Sequence, residues 1–258
     1  MSVPRTSLRH VDPEAEVKVC GLNACLAIFA QRRDDIIRVH VGRNRMPAVG
    51  ELLSWCAENR RAYHVVTDED LEKLTQSHHH EGILMLVRRA EMPKFGFFVG
   101  RERVATDPRC LVLLENVVNP HNLGAIIRVA AHFGAHGILL AGDAPNLSAA
   151  VYRTAEGGLE YVPIIRIGDP VAAVTLFHQA GFASVATSSH TGENLGQAPL
   201  PDKTLFLLGA ENEGLSPRLL AAASQCVRIP GTGAVESLNV ATATAVLLAD
   251  FRRAHPCP

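Results

Sequence analysis

The chain has 258 residues, of which 47% are hydrophobic and 20% charged, and its formal net charge is −1. That balance fills one large core or two ordinary ones and excludes a disordered tail, a fibre and a coiled coil. No apolar run approaches a membrane span, the opening MSVPRTSLRHVDPEAEVK lacks a signal-peptide h-region, and a near-neutral chain has no global attraction for nucleic acid, so a cytoplasmic location is expected.

In chain order, the pattern predicts a helix over 21–31, a strand IIRVHVG, a helix over 49–60, a strand AYHVV, a short helix opening at Asp68 with an acidic first turn, and a strand over 83–89. This alternation predicts a small α/β sandwich over 17–90. Residues 91–107 carry mixed charge, Pro and Gly without a sustained period and are expected to connect two domains. A second domain then spans 108–258. Its candidate strands are 110–117, 137–142, 162–167, 183–188, 205–210 and 226–230, with helices over 122–134, 148–157, 169–180, 216–224 and from about Glu236 to Arg253. Strands this continuously apolar suit a parallel sheet covered on both faces. Asp169-Pro170 and Ser216-Pro217 each pair an N-cap with proline at the first helical position. The last helix lacks a polar face, so a partner subunit is a natural second cover, with burial inside one chain as the alternative.

Six cysteines are scattered without a C-x-x-C pair and are expected to be reduced and mostly buried. His78-His79-His80 has no further ligands spaced around it, and no metal site is expected. Residues 1–103 hold 16 basic and 14 acidic side chains, so any nucleic-acid contact there must come from patches such as Arg32/Arg33, Arg43/Arg45 and Arg60/Arg61, each of which is ordinary solvated surface when taken alone.

Ligands of open parallel sheets bind beyond the carboxyl ends of the strands, and three segments with unusual residues lie there. In the first, residues 115–128, Asn122 is placed to cap a helix. Arg128 follows among apolar neighbours, where a charge needs an acidic partner or an anionic ligand. The second, Gly209-Ala210-Glu211-Asn212-Glu213-Gly214-Leu215-Ser216, combines glycines that permit close backbone approach with two carboxylates. The third runs from Ile229 to Asn239, a glycine loop expected to open a helix whose first turn presents Glu236, Ser237 and Asn239. Its G-x-G-x-x-E lacks the third glycine of a dinucleotide fingerprint and follows the last strand rather than the first. Neither a Walker lysine nor a G-x-S-x-G elbow occurs.

N-P-H-N-L-G-A-I-I-R, G-A-E-N-E-G-L-S and I-P-G-T-G-A-V-E-S-L-N-V, in this order over 110–253, resemble the three motifs of the SpoU-type (TrmH-like) RNA 2′-O-ribose methyltransferases of the SPOUT class. Weaker similarity over 17–90, at Gly21 and His80-Glu81-Gly82, resembles the small RNA-binding α/β domain of many members. Arg153-Thr154-Ala155-Glu156-Gly157-Gly158 is similar to the tRNA/rRNA methyltransferase branch. The resemblance implies an α/β protein with a C-terminal trefoil-knotted parallel-sheet domain, which pattern reasoning would not propose because knots are almost absent from proteins. It implies S-adenosylmethionine as cofactor, with Thr187, Gly209, Ile229 and Leu238 at cofactor positions, and Asn122, Arg128, Glu211, Ser237 and Asn239 at catalytic and substrate-side positions. It also implies a homodimer with each active site at the subunit interface and tRNA or rRNA as partner. Gly231, where members often have Met, and Ala241, where many have Ser, depart from the pattern and touch substrate choice more than activity.

Methyl transfer from a sulfonium to a ribose hydroxyl needs in-line geometry and loss of one proton, and no metal. A guanidinium, with its pKa at about 12.5 or higher, is a poor base. Arg128 is therefore expected to hold the target phosphate and stabilise developing alkoxide while water or a phosphate oxygen takes the proton. Ser237 and Asn239 would orient the ribose, and Glu211 would hold Arg128 or the loop. Ser237 equally fits simple helix capping. A non-catalytic RNA-binding or ribosome-assembly factor that keeps the fold is the alternative function. A base methyltransferase of the same class fits the fold but not the Asn122/Arg128 and S-L-N pairing.

Overall fold

The computed structural model describes residues 15–197, 199–211 and 213–256. Cys257 and Asn212, both within segments considered above, lie outside the described residues, as does most of the opening stretch. The chain divides into two compact units, 1–90 and 91–258.

In the first unit the elements run β1 (Glu16–Cys20), α1 (Leu22–Arg32), β2 (Ile36–Gly42), α2 (Gly50–Glu58), β3 (Ala62–Val66), α3 (Asp68–Thr75) and β4 (Ile83–Arg88). They form a four-stranded sheet of order β1-β4-β2-β3, with β4 antiparallel to both neighbours and β3 parallel to β2. Strand β1 was not among the expected elements. Its E-V-K-V-C alternation buries Val17 and Val19 and leaves Lys18 exposed, but the polar run before it hides so short a period. Thr67 caps α3 in a capping box with Asp70, so the helix starts where the acidic turn placed it. Leu71 of α3 packs on Cys20 and Leu84, covering one end of one sheet face. The residues of opposite parity, Val19, Val39, Val41, Met85 and Val87, are buried on the other face.

The second unit opens with α4 (Phe95–Val104), followed by β5 (Arg109–Glu115), α5 (Pro120–His132), β6 (Gly137–Ala141), α6 (Ala149–Ala155), β7 (Ile164–Arg166), α7 (Pro170–Gln179), β8 (Ala183–Thr187), β9 (Glu193–Asn194), β10 (Lys203–Leu208), α8 (Pro217–Ala222), β11 (Gln225–Arg228) and α9 (Val240–Ala254). The seven strands are parallel in the order β7-β6-β5-β10-β8-β11-β9. Their unbroken apolar runs serve two cores. Val112, Leu114, Ile138 and Leu140 join Ile126, Leu247 and Phe251 on one face, whereas Leu111, Leu113 and Leu139 join Phe98, Phe177 and Leu219 on the other. Truncating one such leucine to alanine costs about 2–5 kcal/mol.

Three expectations are corrected here. Residues 91–107 are not a plain connection: α4 occupies most of them and drives Phe98 and Val99 into the second unit's core. Its period is masked because Glu102 is fully buried on the same helix, paired with Arg101 at 2.7 Å. Helix α5 begins at Pro120 with Asn119, not Asn122, as its cap; the Asn119 side chain accepts from the His121 N–H. Proline fits the first helical position because its missing N–H would have no partner there. Helix α9 begins at Val240 rather than near Glu236. Asn239 caps it, accepting from the N–H groups of Ala241 (2.9 Å) and Thr242 (3.4 Å), and 229–239 is an exposed loop leading in.

Candidate active site

The carboxyl ends of β5, β10 and β11 carry the three motif segments to one edge of the sheet. The segment after β10 turns back on itself through a bond from the Gly214 N–H to the Ala210 carbonyl at 2.9 Å. A Cβ on Gly209 would run into the backbone of Gly214 and Leu215, so only glycine permits this turn. At the other end of the segment, the buried Glu115 carboxylate at the tip of β5 accepts from the Ser216 N–H (2.7 Å) and hydroxyl (2.8 Å). Ser216 in turn caps α8. Glu115 therefore staples this loop to the neighbouring strand. It was not singled out from the sequence, because its role depends on a residue 101 positions away.

The third segment meets the first two through one side chain. The Asn239 amide donates to Glu211 Oε1 at 2.5 Å and to Asn122 Oδ1 at 3.1 Å, while its own oxygen caps α9. Both amide hydrogens are thereby used. Three residues from three motifs, Asn122, Glu211 and Asn239, thus form one junction. Glu211 holds this junction rather than Arg128, and Asn239 is committed to it rather than presented free to a ribose.

Arg128 lies elsewhere on α5. Six residues from Asn122, it is rotated about 120° round the helix and displaced about 9 Å along it. It is exposed, and among the described residues it has no hydrogen bond or ion pair. Its backbone abuts the Gly157-Gly158 turn, where a Cβ on Gly158 would lie 3.2 Å from Arg128 Cα. The expected neighbourhood of apolar residues is real, with Ile126, Ile127 and Ala130 buried, but the guanidinium itself points to solvent without an acidic partner.

Of the residues expected to touch a cofactor, Gly209 makes the turn before Glu211 and Leu238 precedes Asn239 in the chain. Thr187 ends β8, and its hydroxyl donates to the Leu207 carbonyl, two residues before Gly209. Ile229 lines an open cleft of about 430 Å³ with Leu195, Pro230 and Val246. Leu238 is 43% exposed beside Asn239, and Val235 is 73% exposed on the same loop. Ser237 is exposed in the loop and caps no helix. Residues 230–239 are all exposed, and among the described residues the backbone groups of 229–238 make a single intramolecular hydrogen bond, from the Ala234 N–H to Thr232 Oγ1. A loop with this many free donors and acceptors, beside a glycine turn and apolar side chains, fits a ligand gripped by backbone.

The model of the SpoU rRNA Methylase family matches residues 109–249, and that of the RNA 2′-O ribose methyltransferase substrate-binding domain matches residues 18–93. The chain belongs to the SpoU rRNA methylase family. It is 38% identical over 94% of its length to the Escherichia coli O157:H7 "Uncharacterized tRNA/rRNA methyltransferase YfiF", of which it spans 72%. It is 28% identical over 92% of its length to the Nitrosomonas europaea "23S rRNA (guanosine-2'-O-)-methyltransferase RlmB", spanning 91% of that protein. The crystal structure of the SpoU methyltransferase AviRb from Streptomyces viridochromogenes, in complex with AdoMet, superposes with a TM-score of 0.76 at 23% identity, covering 93% of this chain and 90% of that one. Family membership and fold agree with the resemblance read from the three motifs. Among the described residues no helix is long and apolar enough to cross a membrane.

Proposed function

We propose that the chain transfers a methyl group from S-adenosylmethionine to a ribose 2′-hydroxyl of tRNA or rRNA. The observation that carries this reading is the Asn122–Glu211–Asn239 junction, which ties the three family motifs together beside a loop of unpaired backbone groups. The cofactor, when bound, supplies an already activated methyl group. Backbone of the turn at Gly209 and of the 229–238 loop, with Leu238 and Ile229 as apolar walls, would hold it. Glu115 holds the 209–216 loop at Ser216, and Thr187 ties β8 to the end of β10 just before it.

Arg128 is the group for the RNA. An exposed guanidinium with no partner among the described residues binds a phosphate in its two-pronged donor geometry and favours negative charge developing on the ribose oxygen. The proton passes to water or to a phosphate oxygen, since a guanidinium does not give up its own. Ser237, in the exposed loop and without a hydrogen bond among the described residues, orients the ribose.

The active form is a homodimer, in the cytoplasm, with α9 in the interface. The outward side of α9 carries Ala245, Val246 and Ala249 beside Thr242, Asp250 and Arg253, and a second subunit would cover the small apolar residues better than water does. Residues 183–208 also support a knotted C-terminal unit. Strand β11 lies between β8 and β9, which precede it in sequence, so the connection from β8 through β9 to β10 wraps round the strand that enters the last segment. The domains of the working enzyme are residues 17–90 for RNA and 91–258, with α4 included, for methyl transfer. Mass-spectrometric mapping of ribose methylation in tRNA and rRNA from a deletion strain and its parent tests the activity. An identical set of 2′-O-methylated nucleotides in the two strains would count against it.

A further inference from the structure

One face of the first unit's sheet is left open, and its chemistry is of one kind. In β-strands alternate residues share a face. The register places Lys18 of β1, Leu86 of β4, Arg38 of β2 and Ala62 of β3 in one row, with Cys20, Leu84, His40 and His64 in the next. Helix α3 covers Cys20 and Leu84. Lys18, Arg38, Ala62 and His64 remain exposed, with Leu86 and His40 half-buried between them. The His40 and His64 rings stack at 5.3 Å between centroids. Burial, reinforced by His64, Arg38 and Lys18, holds His40 below its ordinary value. Lys18 spends one donor on the Leu74 carbonyl, and Arg38 has no hydrogen bond or ion pair among the described residues. Glu16 shares this face two residues before Lys18, in register with Arg88, and Asp35 at the same end pairs with Arg32 and Arg88, while the acidic first turn of α3 lies at the other end. The row of Lys18, Leu86, Arg38 and Ala62 itself holds no acid.

Three of the arginines that stood out in the sequence are engaged elsewhere. Arg32 pairs with Asp35, Arg33 sits over the Phe29 ring, and Arg61 donates to the Asp34 carbonyl. The cleft beside Arg43 and Asn44 is lined by Asp68 and Asp70, the wrong sign for phosphate. The open sheet face, by contrast, joins two cations about 10 Å apart, at ordinary strand spacing, to an exposed aromatic ring.

We propose that this face, centred on Arg38, His40 and His64, holds single-stranded RNA, with phosphates on Lys18 and Arg38 and a base stacked on His64. Positive charge flanking an aromatic platform is the combination that grips unpaired strands without reading sequence. The inference rests on the proposed RNA substrate and adds where that RNA lies.

The test uses full-length protein with S-adenosylmethionine, a fluorescein-labelled oligouridylate, and anisotropy over a range of salt. Arg38→Glu should weaken binding about tenfold and reduce the slope of log affinity against log salt by about 0.7. His64→Ala should weaken it about tenfold with little change in that slope. Lys73→Glu, an equal charge change at an exposed position of α3, should bind like wild type. Both test residues are exposed, so melting temperature and cofactor affinity should stay at wild-type values. Wild-type RNA affinity in both Arg38→Glu and His64→Ala would overturn the location and leave the methyltransferase reading standing. So would an equal loss in Lys73→Glu. Competition by polyglutamate as strong as by unlabelled RNA would assign the face to an acidic polypeptide instead. Wild-type protein that binds cofactor but no RNA would overturn the substrate reading and this proposal together.

Discussion

Asn239 performs two separable tasks, and two substitutions divide them. Its oxygen caps α9, and its amide joins Glu211 and Asn122. Asn239→Ala removes both. The cap is worth about 1 kcal/mol, and the bond to an exposed carboxylate adds about 1 kcal/mol once solvent competition is allowed for. At about 2–4 °C per kcal/mol for a domain of this size, the melting temperature should fall by about 4–8 °C. Asn239→Asp keeps an oxygen at the cap, where negative charge suits the helix N-terminus. It also sets a second carboxylate against Glu211, a repulsion of about 1 kcal/mol in water. The loops on both sides are exposed, so they can separate without unfolding the core. The melting temperature of Asn239→Asp should therefore fall by no more than about 3 °C, while affinity for S-adenosylmethionine drops at least about tenfold, a loss of 1.4 kcal/mol. Differential scanning fluorimetry and calorimetric titration on the same preparations read both quantities. Equal melting losses in the two variants, with cofactor affinity untouched, would refute the idea that the junction arranges the site.

Arg128→Ala should leave melting temperature and cofactor affinity at wild-type values, because the guanidinium has no partner among the described residues. It should slow single-turnover RNA methylation about a hundred- to a thousandfold, with Arg128→Lys recovering only part; full activity in Arg128→Ala would remove the residue from the mechanism. Gly209→Ala places a Cβ against the Gly214 backbone and should open the turn. The expected result is loss of measurable cofactor binding in calorimetry by a protein that still melts cooperatively, and retained affinity would contradict it. Burial, helped by the Arg109 charge, holds His136 below its ordinary value. The unfolded chain then binds this proton more readily than the folded one, so stability is present above the unfolded value and is lost as pH falls through the folded one. The melting temperature should accordingly drop more between about pH 8 and about pH 5 in wild type than in His136→Asn, which keeps an acceptor for the Cys110 N–H.

Much of this protein follows from local pattern. The alternation of β-branched runs and helical periods is sufficient for two α/β units, because strands buried on both faces must be apolar at every position, as Leu111 to Leu114 are. The three motif segments can be located at strand ends by the same reasoning, and Pro170 and Pro217 each mark a helix start one residue after its cap, a signal that Asn119-Pro120 also carries although Asn122 is the cap expected there. Strand β1 and helix α4 are less legible, the first for being five residues long and the second because a buried glutamate interrupts its apolar face. What tertiary structure alone decides is who meets whom. Sequence places Asn122, Glu211 and Asn239 near one edge, but the parallel order of the sheet brings them within hydrogen-bond reach and leaves Arg128 about 9 Å further along α5 and turned about 120° from Asn122. The Glu115–Ser216 staple and the open row of Lys18, Arg38 and His64 arise in the same way. A side chain's chemistry is encoded at its own position, whereas its partner is set by the strand order and register that the whole chain adopts.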